Sequence, residues 1–176
     1  MADAQAPAPL SIRPARPEDV PLLLELFMEL AVYEKLEDQM HASEELLSRA
    51  LFGERPAAEA LIAESGGETC GYALFYPTFS TFLSVGGIWL EDLFVRPAHR
   101  GGGVGKALLA TVAAQVRARG GERLEWSALD WNELALGFYE GIGAQRMDQW
   151  ITHRLIGDGL TQLAGESPAG ADAQRR

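Results

Sequence analysis

The chain has 176 residues, 25 acidic against 15 basic, and a formal charge of −10 at pH 7. That length supports one domain with a substantial core. The acidic balance argues against a nucleic-acid binder and favours cationic small molecules. Cys70 is the only cysteine, which excludes an internal disulfide and a cysteine-built metal site. His41, His99 and His153 share no ligand spacing, so no metal is expected. No apolar run approaches the length of a membrane span, and the cytoplasm is the expected location. Residues 1–9 read as a disordered Ala/Pro leader without a signal-peptide pattern. A single domain is expected over 10–156, followed by a flexible tail over 157–176.

In chain order, Leu10 to Arg13 reads as a short strand closed by Pro14. Pro17-Glu18-Asp19 opens a helix. Val20, Leu23, Leu24, Phe27, Leu30 and Ala31 then recur at helical spacing, with Tyr33 to Asp38 as the helix end and an acidic loop. Ser43 caps a second helix with Leu46, Leu47, Ala50 and Leu51 as its apolar face. Ala60 to Glu64 and Thr69 to Pro77 read as hairpin strands around Ser65-Gly66-Gly67-Glu68. Thr78 to Gly87 reads as a loop or frayed hairpin, and Ile88 to Val95 as the central strand. Val104 to Arg119 reads as a long helix with Val104, Leu108, Val112 and Val116 on one face. Arg123 to Ala128 reads as a strand, Asn132 to Ile142 as a short helix, and Gln149 to Ile156 as a last strand. The pattern predicts an α/β chain with a mixed sheet, combining antiparallel hairpins with right-handed crossovers.

One stretch carries the chemistry. Trp89 to Val95 is an apolar run with adjacent carboxylates, Glu91 and Asp92. Arg96-Pro97 turns the chain, and Arg100-Gly101-Gly102-Gly103-Val104-Gly105-Lys106 opens the long helix. A glycine loop at a helix N-terminus presents backbone N–H groups and partial positive charge, which suits a phosphate-bearing ligand. Two nucleotide patterns fail on position. A P-loop needs glycine where Arg100 stands and Ser or Thr where Ala107 stands; the dinucleotide fingerprint meets Lys106 or Leu108 where it needs glycine.

What remains, Arg-x-x-Gly-x-Gly after a strand ending Phe-Val-Arg-Pro, resembles the coenzyme A pyrophosphate loop of the GNAT superfamily of N-acetyltransferases. Asp130-Trp131-Asn132-Glu133-Leu134-Ala135 with Phe138-Tyr139 resembles the superfamily's asparagine and downstream tyrosine. Residues 29–37, Trp-Leu-Glu-Asp-Leu-Phe-Val and Leu-Phe-Gly-Glu-Arg-Pro resemble the spermidine/spermine branch and its thialysine-acetylating relatives. The likeness covers about residues 10–156. It implies a GNAT-type acyl-CoA N-acyltransferase fold, a splayed central mixed sheet flanked by helices.

The resemblance implies acetyl-CoA as cofactor, held by Leu93, Phe94, Val95, Arg100, Gly101, Gly102, Gly103, Val104, Gly105, Lys106, Asn132, Ala135 and Tyr139. It implies that Glu91 draws the proton from the acceptor amine, through water, and that Tyr139 protonates the leaving sulfur. Tyr33, Glu34, Glu91, Asp92, Glu125 and Ser127 would line the site of a small cationic amine. Glu91 and Asp92 would face opposite sides of a regular strand; a bulge near Glu91 to Phe94 would change that and free a backbone N–H. The resemblance also implies a homodimer and direct transfer in a ternary complex. Rival acceptors are a protein N-terminus or lysine, or an aminoglycoside. The rival from another class is a non-catalytic acyl-CoA-binding regulatory module.

Overall fold

A computed structural model describes residues 9–168. The chain divides into two compact units, 1–127 and 128–176.

The first unit is one five-stranded sheet in the order β1-β2-β3-β4-β5. Its strands are β1 (Leu10–Pro14), β2 (Glu59–Ser65), β3 (Glu68–Ser80), β4 (Val85–Val95) and β5 (Arg123–Trp126). The first four pair antiparallel in sequence order, and β4 pairs with β5 in parallel. The parallel step needs a crossover, which α3 (Val104–Ala118) supplies.

Period-two alternation sorts the sheet's side chains onto two faces. One face packs on α1 (Val20–Glu34) and α2 (Glu44–Phe52). Its core joins Val20, Leu23 and Leu26 of α1 and Leu47 and Leu51 of α2 to Ala60, Ile62, Tyr72 and Phe94 of the strands. Ser43 caps α2 by accepting from the Leu46 N–H at 3.3 Å, as its position predicts. The other face carries Phe75, Ile88 and Leu90, and α3 packs on the sheet with Val104, Leu108, Val112 and Val116 buried. Those four are the residues that the helical spacing singles out. Cys70 is fully buried and its thiol is pushed up by desolvation, in keeping with a structural role.

Three expectations are corrected. Of the two readings of residues 78–87, loop or frayed hairpin, the hairpin holds, but it is paired rather than frayed: β3 runs on to Ser80, β4 begins at Val85, and the turn closes over residues 81–84. Gly86 and Gly87 lie inside β4. A Cβ at Gly87 would stand 2.8 Å from the Arg123 carbonyl oxygen, so the glycine permits close strand approach rather than a turn. The second correction concerns residues 149–156, which form no strand. A strand needs a partner for its backbone groups, and the described residues of the second unit contain no strand. Third, a helix, α5 (Gly157–Gly165), forms where none is expected. The second unit also holds α4 (Glu133–Gly141). The leader through Ala8 and the end of the tail from Ala169 lie outside the described residues.

Candidate active site

The site in the first unit is built around an irregularity in β4. Leu74 pairs with Asp92, but Phe75 pairs with Leu90, so Glu91 is an extra residue with no cross-strand partner. This is a β-bulge within the stretch where one is expected. It reorients the carboxylates. The Tyr72 hydroxyl donates to Asp92 at 3.1 Å, and the Tyr76 hydroxyl donates to Glu91 at 3.3 Å. Tyr72 and Tyr76 are four apart in β3 and share a face. Glu91 and Asp92 therefore both lie on the face that packs on α1. The indole N–H of Trp89 also donates to Glu91, at 2.8 Å.

The sheet opens at the same place. Pairing between β4 and β5 runs from Gly87 with Arg123 to Leu90 with Trp126 and stops there. From Asp92 to Val95, β4 is paired only with β3 among the described residues. Leu93, Phe94 and Val95 thus lie on a strand with one side not bonded to another strand.

Burial sets the electrostatics. Desolvation pushes Asp92 up to about 6, with Glu91 and Glu34 adding to the rise and the Tyr72 hydrogen bond opposing it. Desolvation also raises Glu34, at the last residue of α1. Tyr72 is held well above its ordinary value by burial, and Tyr76 is raised by burial and by Glu91. Among the described residues, Asp92 bonds the Tyr72 hydroxyl, and Glu91 bonds the Tyr76 hydroxyl and the Trp89 indole. Uncompensated negative charge of this kind attracts a cation. Glu125 pairs with Arg123 at 2.6 Å and stands in register with Trp89. Ser127 is exposed just beyond β5.

The glycine loop follows β4 directly. Gly101 and Gly103 have φ of +77° and +84°, and Gly103 caps α3. An added Cβ at either would meet nothing within 4 Å, so the outer side of the loop is open to a ligand. The first N–H groups of α3 have no acceptor in the helix. Val104 is buried and Lys106 is exposed. Arg100 donates from Nε to the Val95 carbonyl at 2.9 Å. Open backbone donors, a helix N-terminus and two cationic side chains suit a pyrophosphate.

The turn before the loop is tied to α1. Arg96 bonds Glu25, Glu29 (Nη2 to Oε1, 2.6 Å) and the Thr69 carbonyl oxygen (3.3 Å). The Arg100 guanidinium lies 4.6 Å from the Tyr33 ring centroid.

Asn132, Ala135 and Tyr139 lie in the second unit. Asn132 caps α4, its side chain accepting from the Ala135 N–H at 3.2 Å. Tyr139 is partly buried, its ring 5.3 Å from that of Phe138. Asp148 pairs with Arg146 on the surface at 3.4 Å.

The first unit thus brings together Tyr33, Glu34, Glu91, Asp92 and the loop from Arg100 to Lys106. Sequence reasoning missed Tyr72, Tyr76 and Trp89, the partners of the carboxylates, and the Arg96 latch. Tyr72 and Tyr76 do alternate with small and apolar residues in β3, which marks them as sharing a face. Nothing in that pattern reveals which β4 residue each meets.

Comparison with known proteins agrees with this geometry. The model of the acetyltransferase (GNAT) family matches residues 22–144. The chain is 37% identical over 166 residues to thialysine N-epsilon-acetyltransferase of Bos taurus, covering 88% of this chain and 97% of that one. It is 32% identical over 197 residues to L-ornithine N5-acetyltransferase of Arabidopsis thaliana, covering 86% of each. Among solved structures it resembles an integron cassette protein from the mobile metagenome of V. cholerae, with a TM-score of 0.74 and 29% identity over 88% of this chain and 97% of that one. The bulged strand, the glycine loop at the head of α3 and these likenesses agree: the chain belongs to the GNAT family of acetyltransferases and is an N-acetyltransferase related to the thialysine and spermidine/spermine enzymes.

Proposed function

We propose that the chain moves an acetyl group from acetyl-CoA directly to a primary amine of a small cationic acceptor, a diamine, polyamine or thialysine-like compound, in a ternary complex. The observation that carries this reading is the bulge at Glu91. It places two carboxylates on one face, beside an open strand that leads into the glycine loop.

Acetyl-CoA would supply an activated thioester. Arg100, Gly101, Gly102, Gly103, Val104, Gly105 and Lys106 would hold its pyrophosphate, with Leu93 to Val95 and Asn132 along its length. An unpaired N–H of β4 would polarise the carbonyl. Asp92 and Glu34 would hold an ammonium group of the acceptor, since desolvated carboxyls gain most from a cation. Glu91, oriented by Trp89 and Tyr76, would take the proton from the attacking amine, directly or through water. As the new C–N bond forms and the C–S bond breaks, Tyr139 would return a proton to the sulfur. The named nitrogens of the relatives, N-epsilon and N5, support a primary amine on a short cationic chain.

The test uses Glu91→Gln and Tyr139→Phe. Both should bind coenzyme A as the unmodified protein does and lose about 100-fold or more in thiol release from acetyl-CoA with amine acceptors. Full turnover in both variants would overturn the assigned roles. Turnover on peptides or aminoglycosides alone would overturn the acceptor class. The resemblance further points to a homodimer, which sedimentation equilibrium would show as twice the chain mass; a monomer would refute it.

A further inference from the structure

Arg96 and Arg100 leave the same short turn, four residues apart, and both reach α1. Arg96 grips Glu25 and Glu29. The Arg100 guanidinium lies over the Tyr33 ring. Glu25, Glu29 and Tyr33 are spaced by four, so they form one stripe along α1. The turn that leads from β4 into the glycine loop is therefore fastened to a single face of α1 at two levels.

The upper level bears on the cofactor. Arg100 spends one of its five N–H donors on the Val95 carbonyl oxygen, 2.9 Å away. The Tyr33 ring lies 4.6 Å from the guanidinium carbon, and the Phe94 ring 5.9 Å. The four Nη donors make no hydrogen bond among the described residues, and they belong to a planar group fixed by a backbone oxygen and an aromatic face. A guanidinium fixed in this way loses less side-chain entropy when an anion binds than one free in solvent.

We propose that Tyr33 is a positioning residue for Arg100, its ring holding the guanidinium at the glycine loop so that it contributes to coenzyme A affinity. The inference rests on the reading of that loop as the coenzyme A site. It differs from the acceptor-lining role that the resemblance gives Tyr33, because the working part is the ring and not the hydroxyl. Tyr33 is followed by Glu34 at the end of α1, and Lys35, with φ of +61°, ends the helix there. One helix end thus serves the loop with one residue and the carboxylate pocket with the next.

Calorimetric titration of the full chain with coenzyme A separates the possibilities. Tyr33→Leu should weaken binding about three- to tenfold, the range of a partly desolvated cation–π contact. Tyr33→Phe, which keeps the ring, should bind within about twofold of the unmodified chain on the same reasoning. Arg100→Ala should weaken binding, and Tyr33→Leu added to it should cause no further loss, because the two act through one contact. Binding by Tyr33→Leu that equals or exceeds that of the unmodified chain would overturn the inference. So would losses that multiply in the double variant, which would mean that Tyr33→Leu loosens α1 generally. A chain that binds no coenzyme A would overturn the reading of the loop and this inference with it.

Discussion

Replacing Asp92 by asparagine tests the electrostatics of the pocket on stability and on function at once. The Asp92 carboxyl sits at about 6 against an ordinary 3.8, chiefly because burial disfavours its charged form. Its folded value is raised, so between those pH values the native state holds more of the proton than the unfolded chain does. Stability therefore falls as pH rises through that window, and the penalty is complete above pH 6 to 7. At ~1.4 kcal/mol per unit, the two-unit rise corresponds to at most about 3 kcal/mol, an upper bound because the group is only partly buried. Asp92→Asn keeps the shape and an acceptor for the Tyr72 hydroxyl but cannot ionise. Urea unfolding from pH 4 to pH 8 should show the parent chain losing up to about 3 kcal/mol relative to the variant. The variant should be the more stable of the two at pH 8 and the poorer binder of a cationic amine. Equal pH slopes for the two chains would refute the argument that Asp92 bears an uncompensated charge. In the same assay Tyr72→Phe should move the Asp92 transition further up, since it removes the hydrogen bond that favours the carboxylate.

Other consequences follow from single contacts. Gly103→Ala places a side chain at φ of +84° without a clash, so it should cost about 1–2 kcal/mol from backbone strain, read by thermal unfolding, and weaken coenzyme A binding. Arg96→Ala removes the latch on Glu25 and Glu29 and should lower Tm by a few degrees, about 1–2 kcal/mol in a chain of this size. Arg13 bonds Asp19 at 2.6 Å and 2.9 Å and holds its carboxyl below the usual range. The stability from that pair is present above about pH 4 and is lost as pH falls through the depressed value. Arg13→Met should therefore lower unfolding free energy by about 2 kcal/mol at pH 7 and flatten the acid limb of a pH–stability curve.

Much of the frame is legible in the residues because it depends on local periodicity. Val104, Leu108, Val112 and Val116 recur at helical spacing and are all buried. Ser43 reads as a cap and acts as one. Features that depend on which strand meets which are not readable in this way. Gly86 and Gly87 read as part of a loop or frayed hairpin, yet the requirement at Gly87 is set by Arg123 on a neighbouring strand. Residues 149–156 have a strand-like composition, but composition supplies no partner. The carboxylate pocket shows both cases. Glu91 and Asp92 stand out as an acidic pair in an apolar run. Their common face results from one unpaired residue in the β3–β4 register, and their hydroxyl partners Tyr76 and Tyr72 are 15 and 20 residues away in sequence.

The proposed function rests on direct acetyl transfer to a small cationic amine. Its most direct test is a rapid-quench reaction with acetyl-CoA labelled in the acetyl group and an amine panel of diamines, polyamines, lysine analogues and peptides, with both amine product and intact protein followed by mass. Direct transfer predicts labelled N-acetyl product on a small cationic amine in one-to-one amount with released thiol, and no labelled protein at any time. Label on the protein that chases into product, or thiol release that no amine raises above background, would contradict it.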